Sequence, residues 1–178
     1  MNIGDKMPNF NLMGVDEVNY NNFDFADKYA IAVVFTCNSC VYSKSYWNRI
    51  AKLKDRYEED NLALLCVNSN DVNQNSEDSF AAMKTVSHEV GLFPNYYHDE
   101  NQELAKAFDA KVTPEVFLFN SKRELVYKGA IDDSWDNENT VTSVYLEDAI
   151  EYALDGIEVD YPEITAEGCS ISWKKQQK

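Results

Sequence analysis

Two cysteines separated by two residues, Cys37-Asn38-Ser39-Cys40, are the residues whose type and spacing most directly imply chemistry. A thiolate is both a nucleophile and a metal ligand, and a pair at this spacing can make and break disulfides by exchange. The apolar, β-branched stretch 31–35 precedes the pair and a helical pattern follows it, so Cys37 is expected where a buried strand ends and a helix begins. Unpaired N–H groups and the positive end of the helix dipole stabilise a thiolate there. Cys40, one helical turn on, is expected to be the less exposed sulfur. This assigns attack to Cys37 and resolution of the mixed disulfide to Cys40. Zinc is the competing use of such a pair, but a structural site wants four ligands. Beyond the pair only single residues remain, Cys66, Cys169, His88 and His98, and there is no second CxxC or HxxxH. No metal site is expected.

A second element is Val112-Thr113-Pro114-Glu115, which enters the apolar stretch 116–119. Proline is tolerated at the start of a strand, and its peptide bond can be cis. A cis bond here would leave the backbone of Thr113 free to pair with an extended substrate, making Thr113 and Pro114 the expected substrate-binding residues. Thr36, Glu115 and Cys169 are candidate accessory residues. Thr36 adjoins Cys37, and Glu115 could serve Cys40 as acid or base or be a surface charge. Cys169 is either a small apolar anchor of the tail or a resolving thiol on a tail that folds back over the site. Cys66, between Leu65 and Val67, is expected in the core. Lys44 reads as a solvated face, Asp132 and Asp133 as a turn or two opposed faces, and Tyr46 and Trp47 as packing.

The elements that must position these residues follow from periodicity. Residues 62–67 form a second buried strand, and Asn68-Ser69-Asn70-Asp71 a polar loop at its carboxyl end. Tyr46, Ile50, Leu53 and Tyr57 recur at helical spacing after the cysteines. Phe80, Met83, Val86 and Val90 make one stripe of a helix beginning near Ser76 and ended by Gly91 and Pro94. A short helix follows around 103–108, then a hairpin of 116–119 and 125–127 about the polar 120–124. The last helix covers 143–154, with Leu146, Ala149, Ile150 and Ala153 inward. Before these lies an extended or hairpin lead-in over the first 25 residues, and after them a tail, 157–178, without periodicity. The expected architecture is α/β, a mixed central sheet with helices on both faces, in one domain spanning 1–178.

Composition bounds the rest. The 178 residues, 44% hydrophobic and 26% charged, can bury a core without disulfide staples. Sixteen Lys plus Arg against 31 Asp plus Glu give a net charge of −15, which opposes binding to nucleic acid or anionic membranes. The longest apolar run, 29–35, is far short of a membrane span, and the first residues carry no secretory pattern. A cytoplasmic protein is expected.

These features converge on a resemblance that runs nearly end to end. The chain resembles the thioredoxin-like superfamily and, within it, the alkyl hydroperoxide reductase/thiol-specific antioxidant, or redoxin, proteins. Gly4-Asp5-Lys6-Met7-Pro8-Asn9-Phe10 is similar to their G-D-x-x-P-x-F opening. Val33-Val34-Phe35-Thr36-Cys37-Asn38-Ser39-Cys40, with Tyr42 and Lys44, is similar to the V-V-F-T-C-N-x-C-P-Y-x-K core of a bacterial subgroup. Val67-Asn68-Ser69-Asn70-Asp71, Thr113-Pro114-Glu115, Tyr127-Lys128-Gly129, Ile131-Asp132-Asp133 and the tail from Gly168 to Lys174 continue the match. The resemblance implies a thioredoxin-like fold, a redox-active Cys37–Cys40 pair and a cis-Pro114 packed against it. Val41 departs from the subgroup's proline. The P-x-x-x-T-x-x-C pattern of peroxiredoxins is also missing, because Ala30 and Val34 stand where it has Pro and Thr. Thiol–disulfide exchange with a protein or small-molecule substrate and an unidentified reductant is therefore expected, without cofactor. A thiol peroxidase, with Cys37 peroxidatic and Cys40 or Cys169 resolving, is the alternative. A redox sensor or metal-binding module is the non-enzymatic one.

Overall fold

The computed structural model describes residues 1–176 and is organised around two parallel strands, β3 (Ala30–Phe35) and β4 (Leu62–Asn68). Every residue of both strands is buried, as near-continuous apolar runs require when a sheet is covered on both faces. Helix α1 (Val41–Tyr57) connects them and buries Tyr46, Ile50, Leu53 and Tyr57, the stripe expected from their spacing.

Successive residues of β3 point to opposite faces and split the interior into two cores. On one face, Ala32 and Val34 join Leu64, Val116 and Leu118 beneath α1, α2 (Phe80–Glu89) and α4 (Tyr145–Leu154). On the other, Ile31, Val33 and Phe35 meet Leu65, Phe117 and Phe119 beneath α3 (Glu103–Phe108) and the N-terminal residues Phe10 and Leu12. Phe108 sits edge-on against Phe35, Phe117 and Phe119, a favoured arrangement of aromatic quadrupoles.

The rest of the sheet grows outward from this pair. Strand β7 (Glu115–Phe119) lies antiparallel to β3, with Val33 opposite Phe117, and forms the expected hairpin with β8 (Leu125–Gly129). On the far side of β4, β5 (Tyr96–His98) runs parallel to it and pairs with β1 (Asn11–Gly14). β1 and β2 (Asn19–Asn21) make the N-terminal hairpin. Strand β9 (Glu163–Ile164) closes the other edge against β8. The order is β2-β1-β5-β4-β3-β7-β8-β9.

Two differences from the sequence reading bear on the site. Residues 76–78 form a separate 3-10 turn, and α2 starts only at Phe80, capped by the Ser79 hydroxyl, which accepts from the Ala82 N–H at 3.2 Å. The tail after residue 156 is not patternless backbone. It contributes β9 and then β10 (Cys169–Ser170), which pairs antiparallel with β6 (Val112–Thr113) as a separate two-stranded ribbon.

Candidate active site

Strand β3 delivers Cys37 to the carboxyl end of the sheet, where the Thr36 N–H donates to the Val67 carbonyl at 2.9 Å and extends the ladder. Three residues later Cys40 occupies the N-cap of α1, and its carbonyl accepts the helix bond from the Lys44 N–H at 3.0 Å. The cap therefore falls on Cys40 rather than Cys37. Cys37 Sγ lies against the first turn instead, 4.0 Å from Ser43 Oγ.

The turn between the cysteines is held by a group the sequence reading did not single out. Asp78 is fully buried, and both its oxygens are used. Oδ1 accepts from the Asn38 N–H at 2.7 Å and Asn68 Nδ2 at 3.1 Å, and Oδ2 from Ser39 Oγ at 2.6 Å and Asn70 Nδ2 at 3.0 Å. Around it, Asn38 Nδ2 donates to the Glu77 carbonyl at 2.9 Å, and Tyr96 Oη donates to Asn38 Oδ1 at 2.8 Å. Burial holds the Tyr96 phenol well above its ordinary titration range, so it stays a donor. The signal in the sequence was the polar Asn68-Ser69-Asn70-Asp71 run at the end of a buried strand, but nothing there joined it to Asp78.

Across the turn stands Thr113, whose bond to Pro114 is cis. Thr113 Oγ1 lies 3.4 Å from Cys37 Sγ, and its carbonyl oxygen lies 3.3 Å from Cys40 Sγ. The expected catalytic cysteines and expected substrate-binding threonine thus come together. Pro114 lines an adjoining cleft of about 270 Å³ with Tyr46, Trp135 and Glu167.

The disulfide is not the expected one. Cys40 is bonded to Cys169, and Cys37 and Cys66 are free. The cause is the β6–β10 ribbon, which sets Cys169 opposite Thr113 and brings its Cα to 6.0 Å from that of Cys40, within bonding range. The Cys37–Cys40 bond implied by the resemblance is not formed in this structure. Exposure also differs from expectation: Cys37 is 0% and Cys40 3% exposed.

The remaining candidates sort by position. The Thr36 side chain is fully buried, and its hydroxyl finds no partner among the described residues. Glu115 Oε2 accepts from the Lys111 N–H at 2.7 Å, and burial raises its titration above the usual carboxylate range. Lys44 pairs with Glu77 at the surface. Cys66 lies in the core, where burial pushes its thiol up to about 12. Asp132 accepts from Arg49 Nη1 at 2.7 Å and Tyr46 Oη at 2.8 Å, bracing α1 against the loop after β8. Among the described residues no group of three or more His, Cys, Asp or Glu side chains is arranged to hold a metal ion. No helix in that range is long and apolar enough to cross a membrane.

A mixed sheet flanked by helices, with a cysteine pair at the strand-to-helix junction facing a cis-proline, is the thioredoxin-like fold of redoxin-type thiol oxidoreductases. The AhpC/TSA family profile matches residues 3–128, and the chain belongs to that family. A search of curated proteins found no match. Among solved structures, the chain is similar to an uncharacterized conserved protein from Geobacillus kaustophilus, with 34% identity, 99% of this chain and 94% of that one covered, and a TM-score of 0.92. A hypothetical protein from Sinorhizobium meliloti 1021 gives 29% identity, coverages of 99% and 97%, and a TM-score of 0.93. The exposed lipoprotein thioredoxin of Streptococcus pneumoniae shares the fold at 19% identity, with coverages of 81% and 99% and a TM-score of 0.62.

Proposed function

We propose that this protein is a thiol–disulfide oxidoreductase in which Cys37 attacks and Cys40 resolves. The observation that supports this reading is the convergence of both sulfurs on Thr113, 3.4 Å from its hydroxyl and 3.3 Å from its carbonyl. A cysteine-bearing strand already pairs with that residue's backbone, which is the arrangement a substrate segment with its own cysteine would take. Dithiol and disulfide carry two electrons between them, so the reading needs no organic cofactor or metal. Its substrates are thiols or disulfides, in proteins or small molecules, with an unidentified reductant. The net charge of −15 argues against nucleic acid and anionic membranes as partners, and the cytoplasm is the proposed compartment.

One observation favours a second reading. The hydroxyls of Ser39, Ser43 and Thr113 all lie within 4.0 Å of Cys37 Sγ and could hydrogen-bond a peroxide. Cys37 would then be oxidised to a sulfenic acid as the peroxide is reduced to an alcohol or water, and Cys40 or Cys169 would condense with it. The deciding experiment compares insulin disulfide reduction with hydrogen peroxide consumption, each driven by dithiothreitol, in the wild type and Cys40→Ser. Disulfide reduction lost in the variant, with slow peroxide turnover, supports the first reading. Rapid peroxide consumption with negligible disulfide reduction overturns it in favour of the second.

A further inference from the structure

The oxidised sulfurs of this fold are joined across the whole molecule. Cys40 is bonded to Cys169, 129 residues away, while Cys37, its sequence neighbour, is a free and fully buried thiol. All three cysteines meet at Thr113: Cys37 at its hydroxyl, Cys40 at its carbonyl, and Cys169 opposite it in the β6–β10 ribbon. The approach of the tail depends on Gly168, where a Cβ would run into the carbonyl oxygen of Thr113. Past the cysteine the tail is fastened by non-covalent bonds. The Ile171 N–H donates to the Lys111 carbonyl at 3.1 Å, the Asp71 N–H to the Ser172 carbonyl at 2.9 Å, and the Ser172 N–H to Asn70 Oδ1 at 3.0 Å. Ile171 itself is buried in the core beneath α3.

A buried thiol that touches the same residue as a disulfide buried on its Cys40 side and half-buried at Cys169 has one obvious reaction. We propose that Cys169 is a third redox cysteine, and that the oxidised protein alternates between a closed form with Cys40–Cys169 and an open form with Cys37–Cys40. The proposal rests on the thiol–disulfide reading above. Cys37, as thiolate, attacks Cys40 Sγ; the Cys40–Cys169 bond breaks as the Cys37–Cys40 bond forms. Cys169 leaves as a thiolate and takes up the proton that Cys37 gave up. Two electrons stay within the chain, so the step needs neither oxidant nor reductant. In the closed form the tail occupies the backbone edge of β6 and keeps Cys37 and Cys40 from outside thiols. In the open form the covalent hold on the tail is gone, and that edge can pair with an extended substrate. The tail acts as a tethered competitor for its own active site, effective because it is always present at high local concentration.

The test begins with wild-type protein oxidised to one disulfide per chain and freed of redox buffer. It is held with iodoacetamide at about pH 8, where thiols react, then acid-quenched at intervals and mapped by mass spectrometry without reduction. The expected product is carbamidomethylated Cys169 in chains carrying Cys37–Cys40. Label confined to Cys37 with Cys40–Cys169 retained, or no label at all, overturns the relay. A first variant removes no sulfur: Gly168→Val blocks the tail's approach to Thr113. Loss of that pairing, equivalent to at least one net hydrogen bond, is expected to speed labelling of Cys169 about tenfold. An unchanged rate overturns the gating role. Cys169→Ser separates the two levels of argument. If it forms Cys37–Cys40 on oxidation while the wild type never does, the relay is wrong and the exchange reading stands. If it forms no disulfide, the exchange reading itself falls.

Discussion

Ser39 donates its hydroxyl to Asp78 Oδ2 at 2.6 Å, and through that bond the turn between Cys37 and Cys40 is tied to the 3-10 turn that leads into α2. The same carboxylate accepts from the Asn38 N–H, so the turn is gripped through both its central residues. Asp78 is fully buried, and removing it leaves buried donors on Asn38, Asn68 and Asn70 and the half-buried Ser39 hydroxyl without their acceptor. Unmet buried groups cost about 1–3 kcal/mol each, partly relieved by rearrangement. Asp78→Ala is therefore expected to lose roughly 3 kcal/mol of stability, read from urea denaturation of the reduced protein. A loss under about 1 kcal/mol would mean that the turn holds its shape without this carboxylate.

Another buried carboxylate, Asp132, behaves differently because it faces a full charge. Asp132 is braced by Arg49 at 2.7 Å and Tyr46 at 2.8 Å, and Arg49 also donates to the carbonyls of Ser134 and Trp135. Breaking a buried pair on one side strands the other charge, at a cost of about 3–5 kcal/mol. Arg49→Met should approach that figure. Tyr46→Phe, which removes a hydrogen bond to the carboxylate and keeps the ion pair, should cost less, about 2 kcal/mol. Paired denaturation curves check the order, and equal losses would count against the ion pair as the stronger brace.

Much of this frame was readable from residue types. The runs behind β3 and β4, the stripe from Tyr46 to Tyr57 and the β7–β8 hairpin each have the period that their burial demands. Cys37 and Cys40 were recognisable as candidates, because thiols at this spacing carry chemistry in their type; the Thr113-Pro114 step is a weaker signal on its own, and the fold brings Thr113 to both sulfurs. The missing parts are those whose cause lies in tertiary pairing. β5 is three residues long, while β9 and β10 are two each, too short to show a period. Asp78 looks like an ordinary acid near a helix start until the fold brings Asn38 and Ser39 to it. The Cys40–Cys169 bond depends on a strand pairing at Thr113, and cysteine connectivity is not deducible from spacing.

His98 gives stability a pH dependence with a definite sign. Its ring stacks on Phe80, and burial lowers its titration below the ordinary 6.5, outweighing the nearby carboxylates of Glu100 and Asp99. In the unfolded chain the imidazole takes up a proton near its ordinary value, so the unfolded state binds more protons on the acid side. Stability contributed by the neutral ring is present above 6.5 and is lost as the pH falls through that value and below it. Urea midpoints measured from about pH 7.5 down to about pH 5 should decline, above the range where most carboxylates titrate. His98→Gln should flatten the decline. An unchanged slope in the variant would assign the acid sensitivity to other groups.

The Cys40–Cys169 bond should also be visible as a stability difference that follows the redox state. It closes a loop over a sequence separation of 129, and chain-entropy arithmetic for a loop that long gives an upper figure of about 5 kcal/mol, with typical disulfides at about 2–4 kcal/mol. A Cys37–Cys40 bond closes almost no loop and restricts the unfolded chain far less. Oxidised wild type is therefore expected to exceed reduced wild type by about 2–4 kcal/mol, while Cys169→Ser should show little difference between its two redox states. Because the open form of the relay gives up the long closure, Gly168→Val should lose part of the oxidised increment while keeping all its cysteines. Denaturation of the three proteins with and without dithiothreitol measures this directly. If oxidised wild type were no more stable than oxidised Cys169→Ser, the long-range bond would not be populated in solution. The tail would then be held by non-covalent contacts, among them its strand pairing with Thr113, its bonds to Asn70, Asp71, Gln102 and Lys111, and the burial of Ile171.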